Sequence, residues 1–179
     1  CNGSCCSFWL FRNFWKAFGC IGLGAALAEE LLFRGMVLKL VEIKFGTKCA
    51  LLFPAVFWAF LHLFTADFSQ GVSALLRVIS VTYVGFVFSV ITVVTGSIWN
   101  SVFFHAMWNF ITSGVIFVGN KANDHVMFNY VPAEGNALLT GGENGLDGSV
   151  ITMVCYTVVM ILAAFPWRIY SSRKDAMVS

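Results

Sequence analysis

Six residues carry the chemistry this sequence could perform: Glu29, Glu30, Arg34, His62, His105 and Asn109. The first three lie in Ala28-Glu29-Glu30-Leu31-Leu32-Phe33-Arg34-Gly35. His62 ends Phe57-Trp58-Ala59-Phe60-Leu61-His62, and His105 opens His105-Ala106-Met107-Trp108-Asn109. All three stretches are otherwise strongly apolar, and ionisable groups in such surroundings need a partner or a job. Glu30 and Arg34 are one helical turn apart, acid before base, as in a buried ion pair. That pair leaves Glu29 unaccounted for, because adjacent side chains on a helix point about 100° apart. His105 and Asn109 share one helix face. Two schemes fit a carboxylate with two imidazoles. In one, Glu29, His62 and His105 hold a zinc ion that keeps a position for water. In the other no metal is needed: Glu29 is the general base for a water also held by His62, while His105 and Asn109 stabilise the oxyanion. Both hydrolyse a buried amide, and in both Arg34 orients the Glu pair. The bland alternative is that each histidine is polar glue between helices.

Positioning these groups is a task for membrane helices. Of 179 residues, 59% are apolar and 11% charged, against about 45–50% and about 25% in soluble domains. A chain this small cannot bury that excess in one core, which excludes ordinary soluble and disordered classes. A net charge of +2 with no basic stripe excludes nucleic-acid binding. The composition predicts an all-α, polytopic bundle forming one domain over 1–179, with the bilayer as a partner. Five apolar segments are expected, at 14–43, 49–64, 72–95, 97–119 and 150–167. Only Thr95-Gly96-Ser97 separates the third from the fourth, which predicts a tight helical hairpin. Residues 120–149, rich in Asn, Gly and acids, read as a solvated loop.

Charge placement gives a topology. Lys39, Lys44 and Lys48 cluster where the first segment gives way to the second, and Arg168, Arg173 and Lys174 follow the fifth; both clusters are expected in the cytoplasm. Arg12 and Lys16 then fall on the outer side, against the rule. Counted from the proposed cytoplasmic ends, Glu29 lies about 21 Å deep, His62 about 20 Å, Asn109 about 18 Å and His105 about 12 Å. Such depths allow one shared site. Gly22, Gly24, Ala26 and Ala28 form small-x-x-x-small pairs that admit a neighbouring helix.

Other signals are weaker. Cys20, Cys49 and Cys155 lie in apolar stretches and act as small hydrophobes; Cys5 or Cys6 could be acylated. Cys1, Cys5 and Cys6 have no second ligand pair for a zinc ribbon. His125 reads as a surface residue. No H-E-x-x-H occurs. A serine nucleophile would have only Gly71-Val72-Ser73-Ala74. Asp67, Asp124, Asp147 and Asp175 all lie outside the apolar runs, which argues against an aspartate dyad. The chain begins without Met beside an apolar run, and an N-terminal portion is expected to be missing.

With its motifs in hand, the chain resembles the CAAX-protease and bacteriocin-processing (CPBP, or Abi) family of intramembrane proteases. That pattern runs E-E-x-x-x-R, F-x-x-x-H, H-x-x-x-N. Glu29, Glu30 and Arg34 meet the first part; His105 and Asn109 meet the third, behind a Gly96-Ser97 lead-in. The second departs, with Trp58 four residues before His62 in place of Phe. The resemblance covers residues 17–119, and its Asn-ended third motif is similar to the prokaryotic branch. It implies a membrane endopeptidase, in a prokaryotic cytoplasmic membrane, acting on a membrane-associated peptide or protein. Glu29 and His62 would activate water, and His105 and Asn109 would hold the oxyanion, with Zn2+ or without a metal. Two rivals are a self-immunity protein that binds peptide without cutting it, and a transporter subunit using midplane charges. The absence of a repeat speaks against the transporter.

Overall fold

The computed structural model describes residues 15–64, 67–119, 126–132 and 136–178, leaving aside the side chains of 16, 17, 21 and 166–178. The expectations for Cys1, Cys5, Cys6, Arg12, Lys16, Asp124, His125, Arg168, Arg173, Lys174 and Asp175 lie outside those described residues or side chains.

Among the described residues the fold is all-α apart from two strands of three residues. Helix α1 runs without a break from Lys16 to Phe45 but changes pitch on the way. Lys16–Gly24 and Leu31–Val37 are π-helical; Ala25–Glu30 and Leu38–Phe45 are α-helical. Glycine ends it: Gly46 has φ +81°, open to a residue without Cβ, and reverses the chain into α2, Thr47–Leu63. A 3-10 turn, Phe68–Gln70, follows. The Asp67 carboxylate accepts from the Ser69 hydroxyl at 2.6 Å and the Ser69 N–H at 3.0 Å. Those bonds, the hydroxyl's first, hold its pKa below the usual carboxylate value.

Helix α3, Val72–Thr95, is the longest uninterrupted α-helix whose side chains are described throughout. Gly96 and Ser97 turn it into α4, Ile98–Phe110, with the Ser97 hydroxyl accepting the Trp99 N–H. This is the expected hairpin, and Thr92 and Ser101 hydroxyls bond across it at 3.1 Å. A π-helical stretch, Ile111–Val115, extends α4. The chain then enters β1, Ile116–Val118, which pairs in parallel with β2, Phe128–Tyr130. Short α5, Ala137–Thr140, and a 3-10 segment, Gly142–Gly148, lead into α6, Val150–Val178.

The interior gathers around α3, where Val87, Phe88 and Ile91 meet Phe33 from α1, Trp58 from α2 and Tyr156 from α6. Large apolar side chains also cover the outside: Ile43 is 84% and Phe64 75% exposed. A surface of that kind belongs against lipid rather than water. Val72–Thr95 and Gly142–Phe165, each with mean hydropathy 2.1, are long and apolar enough to cross a bilayer, and Thr47–Leu63 is a shorter apolar helix. The segments expected at 14–43 and 97–119 are helical but not uniform. The first alternates α and π geometry, and the second ends in β1 from Ile116. Cys20, Cys49 and Cys155 are free and exposed on this apolar surface.

One expectation is corrected. Within 120–149, residues 142–148 are not a solvated loop. Gly142, Gly145 and Gly148 are buried there. The Asn144 side-chain amide donates to the Ser73 carbonyl at 3.1 Å and the Gln70 amide oxygen at 3.0 Å. The polar composition satisfies backbone groups of the bundle rather than water.

Candidate active site

Glu29 and Glu30 part company as their adjacency on a helix requires. Glu30 is fully buried. Its Oε1 accepts from Arg34 Nη1 at 2.9 Å and lies 2.9 Å from His105 Nδ1. Arg34 is buried too, and its Nη2 donates to the Gly85 carbonyl at 2.8 Å. A Cβ at Gly85 would stand 3.1 Å from both the Ala55 Cα and the Trp58 Cε3. Glycine there lets α2 and α3 touch and bares the carbonyl that Arg34 needs. The guanidinium also lies 5.3 Å from the rings of Trp58 and Phe88, a cation–π setting that favours charge in an apolar interior. Glu30 and Arg34 thus form the buried ion pair that their spacing suggests, with the further task of holding His105.

Glu29 faces the other way. It is partly exposed, its Oε2 accepts from Trp58 Nε1 at 2.7 Å, and it lies 4.0 Å from His105 Nε2. An ionised Glu30 can only accept, so the His105 Nδ1 donates to it and Nε2 is the nitrogen facing Glu29. The His105 ring stacks on Phe88 at 5.1 Å. His62 Nδ1 lies 2.9 Å from the Trp58 carbonyl, a bond in which only the nitrogen can donate.

Glu29, His62, His105 and Asn109, from α1, α2 and α4, line one cavity of about 110 Å³. That volume holds several waters, since each needs about 10–15 Å³ by this measure. Arg34 and Glu30 stand behind the wall rather than in it. Ser73, the candidate of the serine alternative, is buried outside the cavity lining.

Two residues of the site escape sequence reasoning. Trp58 shows in the sequence only as a departure from the family pattern, yet its indole N–H reaches Glu29, a bond phenylalanine cannot make. Asp147 lies outside the apolar runs and so gives no sign of belonging to the site. It lines the cavity, and its Oδ1 accepts from Trp108 Nε1 at 2.7 Å. Its nearness to three glycines that fold the segment inward is the one signal that could have found it.

The zinc scheme fares less well. Two ligands on a tetrahedral zinc at about 2.0–2.1 Å stand about 3.3 Å apart. Glu29 and His105 are 4.0 Å apart at their nearest, and that Glu29 oxygen is taken by Trp58. Among the described residues no group of three or more His, Cys, Asp or Glu is arranged to hold a metal. The donor set of Glu29, His62 and His105 does not fit zinc in this arrangement.

Comparison with known proteins adds the family. Residues 11–111 match the family model described as type II CAAX prenyl endopeptidase Rce1-like. No curated protein and no solved structure matches the chain. The matched span is more than half of the 179 residues and contains every residue of the Glu–Arg–His–His–Asn constellation. The chain belongs to the Rce1-like family of type II CAAX prenyl endopeptidases, membrane-embedded proteases of the CAAX type.

Proposed function

We propose that the protein is an intramembrane endopeptidase that hydrolyses a peptide bond of a membrane-associated peptide or protein by a glutamate-dependent route. The observation that carries this reading is the cavity shared by Glu29, His62, His105 and Asn109. Glu29 keeps Oε1 for a water, because Trp58 occupies Oε2. It takes the water's proton as the hydroxide oxygen bonds to the scissile carbonyl carbon. Nε2 of protonated His105 and the Asn109 amide donate to the resulting oxyanion, and His62 Nε2 positions the water. The proton held by Glu29 then passes to the departing amine as the C–N bond breaks. Glu30 and Arg34 act at one remove, fixing the His105 ring.

The family name points to lipidated peptides as substrates. An apolar cleft of about 170 Å³ between α4 and α6 shares Trp108 and Tyr156 with the polar cavity, a place for a lipid attached to the peptide. We read α1, α2, α3, α4 and α6 as crossing the bilayer, α1 and α4 with their π-helical parts included. The test is to incubate the purified protein in nanodiscs with a farnesylated peptide ending in a CAAX box and identify products by mass spectrometry. Hydrolysis at one bond supports the reading. Saturable binding of an intact peptide would replace it with the peptide-binding, immunity-type alternative.

A further inference from the structure

The cavity has a second polar wall that this reaction leaves unused. Arg77, near the start of α3, lines it. Its Nη1 donates to the Asn144 side-chain oxygen at 3.3 Å, a long bond to a neutral amide. Asn144 is itself held from two sides, by the Gln70 amide oxygen and the Ser73 carbonyl. Among the described residues, no carboxylate lies within 4.0 Å of the Arg77 guanidinium. A cation in a membrane helix, facing a cavity and without a counter-charge, is a site for an anionic ligand. Independent support comes from two hydroxyls lining the same cavity. Ser80, three residues on from Arg77, and Tyr156 on α6 are almost wholly buried. Neither the Ser80 Oγ nor the Tyr156 hydroxyl has a hydrogen-bond partner among the described residues. Buried polar groups are normally paired, and two orphans in one cavity call for a ligand that pairs them.

A guanidinium with two hydroxyl donors suits a carboxylate. The other charges around the cavity limit where it can sit. Asp147 is tied to Trp108 and Glu29 to Trp58, and both repel an anion from their own parts of the wall. Arg77 also lies eight residues before Gly85, the anchor of Arg34, about 12 Å along the helix. An extended peptide covers that distance in a few residues at about 3.4 Å each. One bound chain can therefore reach both places. The anion that every free peptide end brings is its C-terminal carboxylate.

Resting on the peptidase reading above, we propose that Arg77, Ser80 and Tyr156 form a subsite for the C-terminal carboxylate of the substrate, so that the enzyme reads the free end of the peptide it cuts. The experiment compares two farnesylated CAAX peptides that differ only in ending as a carboxylate or a carboxamide. Binding is measured on Glu29→Gln protein and turnover on protein with Glu29 intact, each with Arg77 native or changed to Gln or Lys, and with Ser80→Ala and Tyr156→Phe. The native subsite should bind the carboxylate form about tenfold or more tightly, the scale of one charge-assisted hydrogen bond. That preference should appear in KM rather than kcat. Arg77→Gln should abolish it by weakening only the carboxylate peptide, Arg77→Lys should restore part of it, and the hydroxyl deletions should each reduce it. Equal binding of the two peptides, or a preference that survives Arg77→Gln in a monodisperse protein, overturns the subsite. If native protein binds with this preference but cuts neither peptide, the subsite stands and the peptidase reading falls.

Discussion

Replacing Trp58 by Phe removes one hydrogen bond to Glu29 while keeping an aromatic ring beside Arg34. The bond is short, 2.7 Å, and its acceptor is a carboxylate. Charge-assisted bonds of this kind contribute about 1.5–3 kcal/mol. The Glu29 side chain is 33% exposed, so water partly replaces the lost donor and the lower end applies. About 1.5 kcal/mol corresponds to about a tenfold fall in kcat, because the carboxylate is no longer held at the angle needed to meet the water. Trp58 is also packed against Phe33 and His105, so the smaller ring should lower stability by about 1–3 kcal/mol. The two effects are separated by installing 3-benzothienylalanine at position 58, which keeps the volume and lacks the N–H. Steady-state turnover of a farnesylated CAAX peptide, with thermal melting followed in parallel, reads both. Both variants should lose kcat to a similar degree, and Phe should lose more stability than the benzothienyl variant, which keeps the volume. A kcat within twofold of the unmodified protein for the benzothienyl variant would refute the positioning role.

Further expectations follow from the same geometry. Arg34→Met leaves Glu30 buried without its guanidinium partner and held only by His105 Nδ1, which should cost about 3–5 kcal/mol of stability; adding Glu30→Leu should recover folding but not activity, because His105 then lacks its anchor, as melting and turnover would show. Gly85→Ala pushes a methyl to 3.1 Å from Ala55 and Trp58 and should destabilise by about 1–3 kcal/mol, with turnover falling as Trp58 is displaced. Because the Glu29, His62 and His105 donors do not gather around one point, o-phenanthroline should leave turnover unchanged; a loss reversed by added zinc would restore the metal scheme.

The acidic motif is legible in the sequence because its chemistry is local. Two adjacent glutamates must diverge on any helix, and an acid four residues before an arginine must meet it, so spacing alone separates the roles of Glu29 and Glu30. The convergence of His62, His105 and Asn109 is legible from depth along helices, since apolar runs fix where each segment starts. Trp58 is not, because the direction of an indole N–H depends on how α2 lies against α1, and no spacing rule reports that. Asp147 and residues 142–148 mislead for a related reason. Polar and glycine-rich sequence marks backbone that needs partners or positive φ, as at Gly141, Gly142 and Gly145, and solvent is only one source of partners. The π-helical stretches of α1 leave no pattern, since residue types there are those of any apolar helix.

Glu29→Gln tests the central claim most directly. The amide keeps the size of the side chain and can still accept from Trp58 through its oxygen, but it cannot take a proton from water. Purified Glu29→Gln protein, shown to be folded by its melting profile and to bind the farnesylated CAAX peptide, should cut it at least about a hundredfold more slowly than protein with Glu29 intact, the usual scale for losing a general base. Undiminished cleavage by this variant would contradict the account.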